Sequence, residues 1–281
     1  MMKILVLGHK GMLGSDLVSI LSVSHDVTGK DIEDFDISSA RDCRDIILES
    51  GPDVVVNAAA YTDVDGCESN REECFSVNAE GVKNVALICK ERGIKIVHFS
   101  TDYVFDGTKG SPYLEDDVCN PINVYGESKL EGELYLRDIS DNYILLRTAW
   151  LYGKNGKNFV RTIIEKAKNT KNLEVVDDQI GSPTCTIDLA SAVKALIEGD
   201  HTGVFHVTNG GEGSWYEFAL KALEYAGITD VEVEPVKSDR FVRKALRPRY
   251  SVLNCKKFID ETKMSLRSWQ TALKDYVSTM E

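Results

Sequence analysis

"KILVLGHKGMLGSDLVSILS" occupies residues 3–22, and its reading decides the fold. The stretch KILVLG reads as a buried strand, far too short for a signal segment or a membrane span. GMLGSDLVSILS follows with apolar residues at helical spacing. Between them Gly8, Gly11 and Gly14 form a GxxGxxG turn. Glycine lets a chain turn sharply and lets its backbone approach a pyrophosphate. The helix amino terminus beyond supplies N–H donors and the positive end of a dipole. A glycine turn between a first strand and a first helix is a dinucleotide site or, more plainly, a tight turn with close helix–strand packing.

Outward from this unit the pattern alternates. Strands are expected at 25–31, 53–59, 95–100 and 143–150, with helices at 39–50 and 75–93 and another opening within NPINVYGESKLEGELYL (120–136). Later come LEVVDD (173–178), a helix at 186–198, VFHVTN (204–209), a helix at 214–226, VEVEPV (231–236) and a helix at 268–279. Uninterrupted apolar strands alternating with helices imply a parallel sheet covered on both faces. The fold class is therefore α/β, a Rossmann-type doubly wound parallel sheet. Residues 1–206 are assigned to it as an NAD(P)-binding domain, with 151–172 contributing to a second unit. Residues 207–281, less regular and more charged, form a smaller C-terminal substrate-binding lobe over the carboxyl edge of the sheet.

The 281 residues are 43% hydrophobic and 28% charged, with a formal net charge of -12. That field opposes nucleic acid and anionic membrane, and no basic run offsets it. A bound anion needs local donors. The seven cysteines are scattered, with no CxxC and no cysteine–histidine cluster at zinc spacing. An unpaired set points to a reducing cytoplasm.

Three strand ends carry candidate chemistry. Asp31 ends the second strand, about 20 residues past the turn, where an acid can accept from an adenosine ribose hydroxyl. Lys30, His9 and Lys10 lie beside it and suit a 2'-phosphate, so NADPH or NADH stays open. Asp36 and Ile37 are placed to flank an adenine. The third strand ends in NAAAYTDVDGCE (57–68), whose small residues admit a cofactor or a packed helix. FSTDYVFDG (99–107) ends the fourth. Ser100 and Thr101 place hydroxyls there, either to polarise a carbonyl or to cap a turn. Tyr125 and Lys129 share a helix face. A phenol with an ordinary pKa near ~10 is a poor acid at neutral pH, and an adjacent ammonium lowers it. The plainer alternative is a surface pair. Asn78 interrupts an apolar helix face and suits a structural hydrogen bond. Arg247 and Arg249, in RPRYS, suit a diphosphate or a solvated loop.

With GHKGMLG, NAAAYTDVDGCE, FSVNAEG, FSTDYVFDG, NPINVYGESKLEGE, LLRTAWLYG, DDQIGSPTCTIDLA, GSWYEFA and RPRYSVLNCKKF, the chain resembles an extended short-chain dehydrogenase/reductase. Within that superfamily it is similar to the dTDP-4-dehydrorhamnose reductase family over nearly its whole length. The resemblance implies Tyr125 as proton donor, Lys129 as its partner on the nicotinamide ribose, and Thr101 completing the triad where many relatives carry serine. It implies Gly11, Met12 and Leu13 at the pyrophosphate, within a cofactor set that also holds Gly8, Gly14 and Ser100. Asp31, Asp36 and Ile37 would hold the adenosine half, and Ala59, Ala60 and Tyr61 would line the cofactor. Thr101, Asp102 and Trp150, with Arg247, would contact a dTDP-sugar; for Trp150 the plainer alternative is a core position. Met12 replaces a common glutamine. Some members hold a magnesium ion at a dimer interface through acidic side chains; here Ser15 follows the turn and Asp16 comes next, so no metal site is expected and a homodimer is left open. Two alternatives stand beside a reductase of dTDP-4-dehydro-6-deoxy-L-mannose. One is a reductase or epimerase of another nucleotide sugar. The other is a non-catalytic NADP-binding regulatory subunit like the methionine adenosyltransferase beta subunit.

Overall fold

A computed structural model describes residues 1–280. The first part of the chain runs β1 (Lys3–Leu7), α1 (Met12–Leu21), β2 (Asp26–Lys30), α2 (Ala40–Ser50), β3 (Val54–Asn57), α3 (Val64–Cys67), α4 (Arg71–Phe75), α5 (Gly81–Arg92) and β4 (Lys95–Thr101). It continues through α6 (Val124–Ile139), β5 (Tyr143–Thr148), β6 (Leu151–Tyr152), α7 (Phe159–Ala167), β7 (Asn172–Val176), β8 (Ile180–Gly181) and β9 (Thr184–Cys185). The remainder is α8 (Thr186–Glu198), β10 (Gly203–His206), β11 (Gly213–Ser214), α9 (Trp215–Tyr225), β12 (Glu232–Val236), α10 (Lys256–Thr262) and α11 (Trp269–Ser278).

Six strands form one sheet in the order β10-β5-β4-β3-β1-β2, every neighbouring pair parallel. Successive side chains on a strand face opposite ways, and here both ways are apolar. Ile4, Val6, Val97 and Phe99 pack under α1 and α8, while Leu5, Leu7, Ile96 and Leu145 pack under α2, α5 and α6. This is a doubly wound, Rossmann-like sheet. Its order reverses between β1 and β3, which opens a crevice beyond their carboxyl ends. The glycine turn and the alanine run leave the sheet at that crevice.

The helix expected over 75–93 is not one regular helix. A π turn over Ser76–Glu80 joins α4 to α5. Asn78 lies in that turn and accounts for it: its amide accepts from Tyr61 N–H at 2.9 Å and donates to Tyr61 C=O and Ser128 Oγ, each at 3.0 Å. Widening the helix there lets one side chain tie the β3 loop to α6.

A separate core fills the smaller lobe, where Tyr152, Val160, Leu173, Phe218, Trp269 and Leu273 pack together. It draws on three stretches of chain, 150–185, 213–236 and 269–280. β7 pairs with β12 across 60 residues, while β10 completes the main sheet and Phe258 of α10 packs into the main core. The chain leaves the main sheet after β5, returns for α8 and β10, and leaves again. α7 and α10, with the short elements α3, α4, β6, β8, β9 and β11, are additions to the expected elements. α7 carries Val160, Ile163, Ile164 and Ala167 as one buried stripe, with Asn158 capping it by accepting from Arg161 N–H at 3.1 Å.

Candidate active site

At the crevice, Gly8 has φ +77°, and a Cβ there would meet Ala59 N at 2.8 Å. A Cβ on Gly14 would lie 2.0 Å from Gly8 C=O. Only hydrogen fits at either position, so β1, α1 and the β3 end close on one another. Gly11 caps α1 without a side chain, so no side-chain oxygen occupies the first-turn N–H groups. A cavity of about 300 Å³ opens beside them. Gly8, Gly11, Asp31, Asp36 and Ile37 line one side of it, and Ala59, Ala60 and Tyr61 the other. Leu13 is buried in the main core, so it offers only its backbone N–H. Met12 turns toward Gly153 and Gly156.

Asp31 organises the turn: its carboxylate accepts from Lys10 N–H at 2.7 Å and Ile32 N–H at 2.9 Å. His9 lies 3.7 Å from it, and Lys10 Nζ pairs with Glu33 at 3.1 Å. Farther in, the hydroxyls of Ser100 and Thr148, at the ends of β4 and β5, are buried without a partner. Free helix N–H groups, hydrogen-only glycines, a strand-end acid and unpaired strand-end hydroxyls fit a dinucleotide cofactor.

α6 brings the phenol to the strand end. Asn123 caps it, accepting from Gly126 N–H at 2.7 Å. A Cβ on Gly126 would lie 2.2 Å from Tyr103 C=O, so glycine lets the first turn of α6 press on the 101–104 segment. Tyr125 thereby sits beside Tyr103, ring centroids 6.0 Å apart and nearly perpendicular. Burial, then the charge of Asp102, pushes the Tyr125 pKa up; the Thr101 hydroxyl pulls the other way. The expected lowering by Lys129 is corrected. The Lys129 amine turns inward, 3.4 Å from His98 Nε2, and burial draws its pKa down to about 8. His98 is fully buried and held well below its ordinary pKa, so it accepts as a neutral ring. The phenol is thus kept protonated, the form that donates.

A second cavity is built by the smaller lobe. Trp150 takes φ +49° and stacks on Trp215, ring centroids 3.6 Å apart. Gly181 makes room, since a Cβ there would meet the Trp150 ring at 2.5 Å. Trp215 lines a cavity of about 390 Å³ together with Tyr103, Phe159, Lys166, Arg243 and Arg247. Arg247 forms a two-point pair with Asp65, at 2.9 and 2.8 Å, which holds that carboxyl at about 2. Asp102 is buried, with Thr101 Oγ1 donating to one carboxylate oxygen at 3.0 Å and Ser251 Oγ to the other at 2.6 Å.

Residues 2–281 match the family described as the RmlD substrate binding domain. The chain belongs to this family. It is 40% identical over 271 residues to a dTDP-4-keto-6-deoxy-D-glucose reductase of Streptomyces niveus, covering 96% of this chain and 94% of that one. It is 37% identical over 288 residues to a dTDP-4-dehydrorhamnose reductase of Burkholderia thailandensis, with 97% of each covered. Among solved structures, a dTDP-4-dehydrorhamnose reductase of Clostridium acetobutylicum superposes with a TM-score of 0.96 at 41% identity, over 99% of each chain. The Bacillus anthracis dTDP-4-dehydrorhamnose reductase in complex with NADP also reaches 0.96, at 36% identity over 99% of each chain.

Five residues at this site carry contacts that sequence reasoning missed: Asp65, His98, Ser251, Trp215 and Phe159. Only Trp215 and Phe159 had a local signal, as aromatic residues at the start of amphipathic helices. Among the described residues no group of three metal-binding side chains occurs. Asp16 instead accepts from Thr186 Oγ1 at 2.5 Å.

Burial raises the Asp102 pKa from 3.8 to about 6. The folded protein therefore holds this proton more tightly than the unfolded chain. The associated stability is complete below about pH 4 and is lost as pH rises through about 6, a change on the order of 2–3 kcal/mol. The amide in Asp102→Asn does not titrate. The Tm difference, variant minus wild type, is expected to grow between pH 4 and pH 7, read by calorimetry. A difference that stays flat with pH would show that the carboxyl is not held in a low-dielectric site.

Proposed function

We propose that this protein reduces the 4-keto group of dTDP-4-dehydro-6-deoxy-L-mannose to give dTDP-L-rhamnose, using NADPH or NADH. What supports the reading is Thr101 beside Tyr125 at the carboxyl end of β4, with Lys129 one turn further along α6 against His98, in a chain that also has a glycine-lined crevice and a basic, aromatic cavity. Backbone N–H groups of Gly11, Met12 and Leu13 hold the pyrophosphate. Asp31, Asp36 and Ile37 receive the adenosine half, and Ala59, Ala60 and Tyr61 leave room for the chain between. When bound, the reduced nicotinamide supplies hydride to the ketone carbon.

The side chains do the rest. Tyr125 donates its proton to the ketone oxygen as negative charge develops there. Thr101, its own hydrogen held by Asp102, orients the phenol by accepting from it. Lys129 bonds the ribose and offers positive charge to the phenolate that Tyr125 becomes. Arg247, Arg243 and Lys166 supply the local cations that an acidic protein needs to hold a diphosphate. Trp215, backed by Trp150, offers a flat face to the nucleotide sugar. In this reading residues 150–185, 213–250 and 269–280 act as the substrate lobe.

A second reading keeps the chemistry and changes the sugar. The Streptomyces niveus relative is named for a D-glucose derivative, so the stereochemistry at the ketone's neighbours is the variable. Purified protein should be screened with several dTDP-4-keto sugars against NADPH and NADH, following loss of the reduced-nicotinamide absorbance. The rhamnose precursor is expected to turn over with the highest kcat/KM. Faster turnover of another sugar selects the second reading. No turnover of any, with cofactor still bound, returns the protein to the regulatory-subunit alternative.

A further inference from the structure

The catalytic hydroxyl is held from the substrate side of the molecule. Thr101 Oγ1 donates to one oxygen of Asp102 at 3.0 Å and accepts from Tyr103 N–H at 3.1 Å. The other oxygen of Asp102 accepts from Ser251 Oγ at 2.6 Å. Thr101, Asp102 and Ser251 are all buried, the latter two at 2% exposure, and Asp102 is not among the residues that line the cavity beside Arg247. Ser251 itself is fixed. Its N–H donates to Ile180 C=O at 2.9 Å, and Ile180 N–H donates to Arg249 C=O at 2.8 Å. Gly107, with φ +78°, lets Pro248 approach so closely that a Cβ would meet it at 2.6 Å. Four residues back, Arg247 lines the cavity.

We propose that Asp102 and Ser251 are positioning residues: the strap that carries Arg247 orients the Thr101 hydroxyl through a Ser251–Asp102–Thr101 hydrogen-bond chain, and Asp102 acts on the substrate only through Thr101. This rests on the reductase reading for its kinetic consequence. A two-ended carboxylate suits the task, because it accepts from both hydroxyls at once and lies between two segments 149 residues apart. One strap thus carries a cavity-lining cation and fixes the Thr101 hydroxyl.

The test uses the full chain. Ser251→Ala is expected to lower kcat about tenfold. KM for the nucleotide sugar is expected to stay within about twofold. Ser251→Thr, which keeps the hydroxyl, should recover most of the loss. In a Thr101→Val background, Ser251→Ala should add no more than about twofold, because the hydroxyl it serves is gone. A rise in KM with kcat unchanged, or losses that simply multiply in the double variant, would overturn the chain. A second readout is independent of turnover. Ser251→Ala should speed hydrogen exchange at the Tyr103 amide while leaving the Val55 amide in β3 unchanged. If the wild type reduces no nucleotide 4-keto sugar, the reductase reading fails, and exchange at Tyr103 alone decides the chain: unchanged protection there overturns it.

Discussion

Tyr125→Phe is expected to lower kcat on a nucleotide 4-keto sugar by about 10²–10⁴-fold, the usual worth of a positioned acid. Cofactor affinity should barely move, because the variant keeps the ring that packs on Tyr103 and removes only the oxygen. The phenol is held protonated by burial and by the Asp102 charge, so its proton is present when hydride arrives. Without it, negative charge on the ketone oxygen faces only Thr101, whose hydrogen is directed at Asp102. NADPH binding by fluorescence, measured beside steady-state kinetics, separates the two effects. Equal losses in binding and turnover would mean that the ring shapes the crevice rather than serving as the acid.

Glu133→Ala is expected to produce the largest loss of stability of any single change considered. Glu133 and Arg147 are both fully buried and meet at 2.7, 3.0 and 3.2 Å. Removing the carboxylate leaves a guanidinium in a low-dielectric interior beside Phe105 and the neutral ring of His206, which only partly satisfy it. Breaking one side of such a pair costs about 3–5 kcal/mol. Replacing both sides with apolar groups of similar volume, as in Glu133→Leu with Arg147→Met, should restore most of it. Urea unfolding midpoints read both results. A loss under about 1 kcal/mol for Glu133→Ala would place the pair in contact with water. Glu133 also lies one helical turn beyond Lys129 and its charge raises that amine's pKa, so the same variant should shift the pH dependence of turnover as well.

The sheet was legible because its strands are short, apolar and evenly spaced, and because both faces are covered. Gly8, Gly11 and Gly14 marked the crevice, and Tyr125 and Lys129 lie on one helix as their spacing requires. Other features resisted. The π turn at Ser76–Glu80 depends on Asn78 reaching Tyr61 and Ser128, partners 17 and 50 residues away. The smaller lobe is assembled from three stretches, so no single composition shift marks its edge. The inward turn of Lys129 follows from His98 lying under α6 on β4, which no spacing announces.

The sequence by itself determined the strands of the main sheet and the helices that cover it, their order, the face each presents and the residue types at each strand end. Those follow from local geometry, the periods of 3.6 and 2 and the conformational demands of glycine. The tertiary structure decided which polar groups meet. Arg247 pairs with Asp65 across 182 positions, Ser251 with Asp102 across 149, and Lys129 with His98 across 31. Such contacts are set by how the layers pack and by the cost of burying a polar group without a partner, and neither is written in any one stretch of chain.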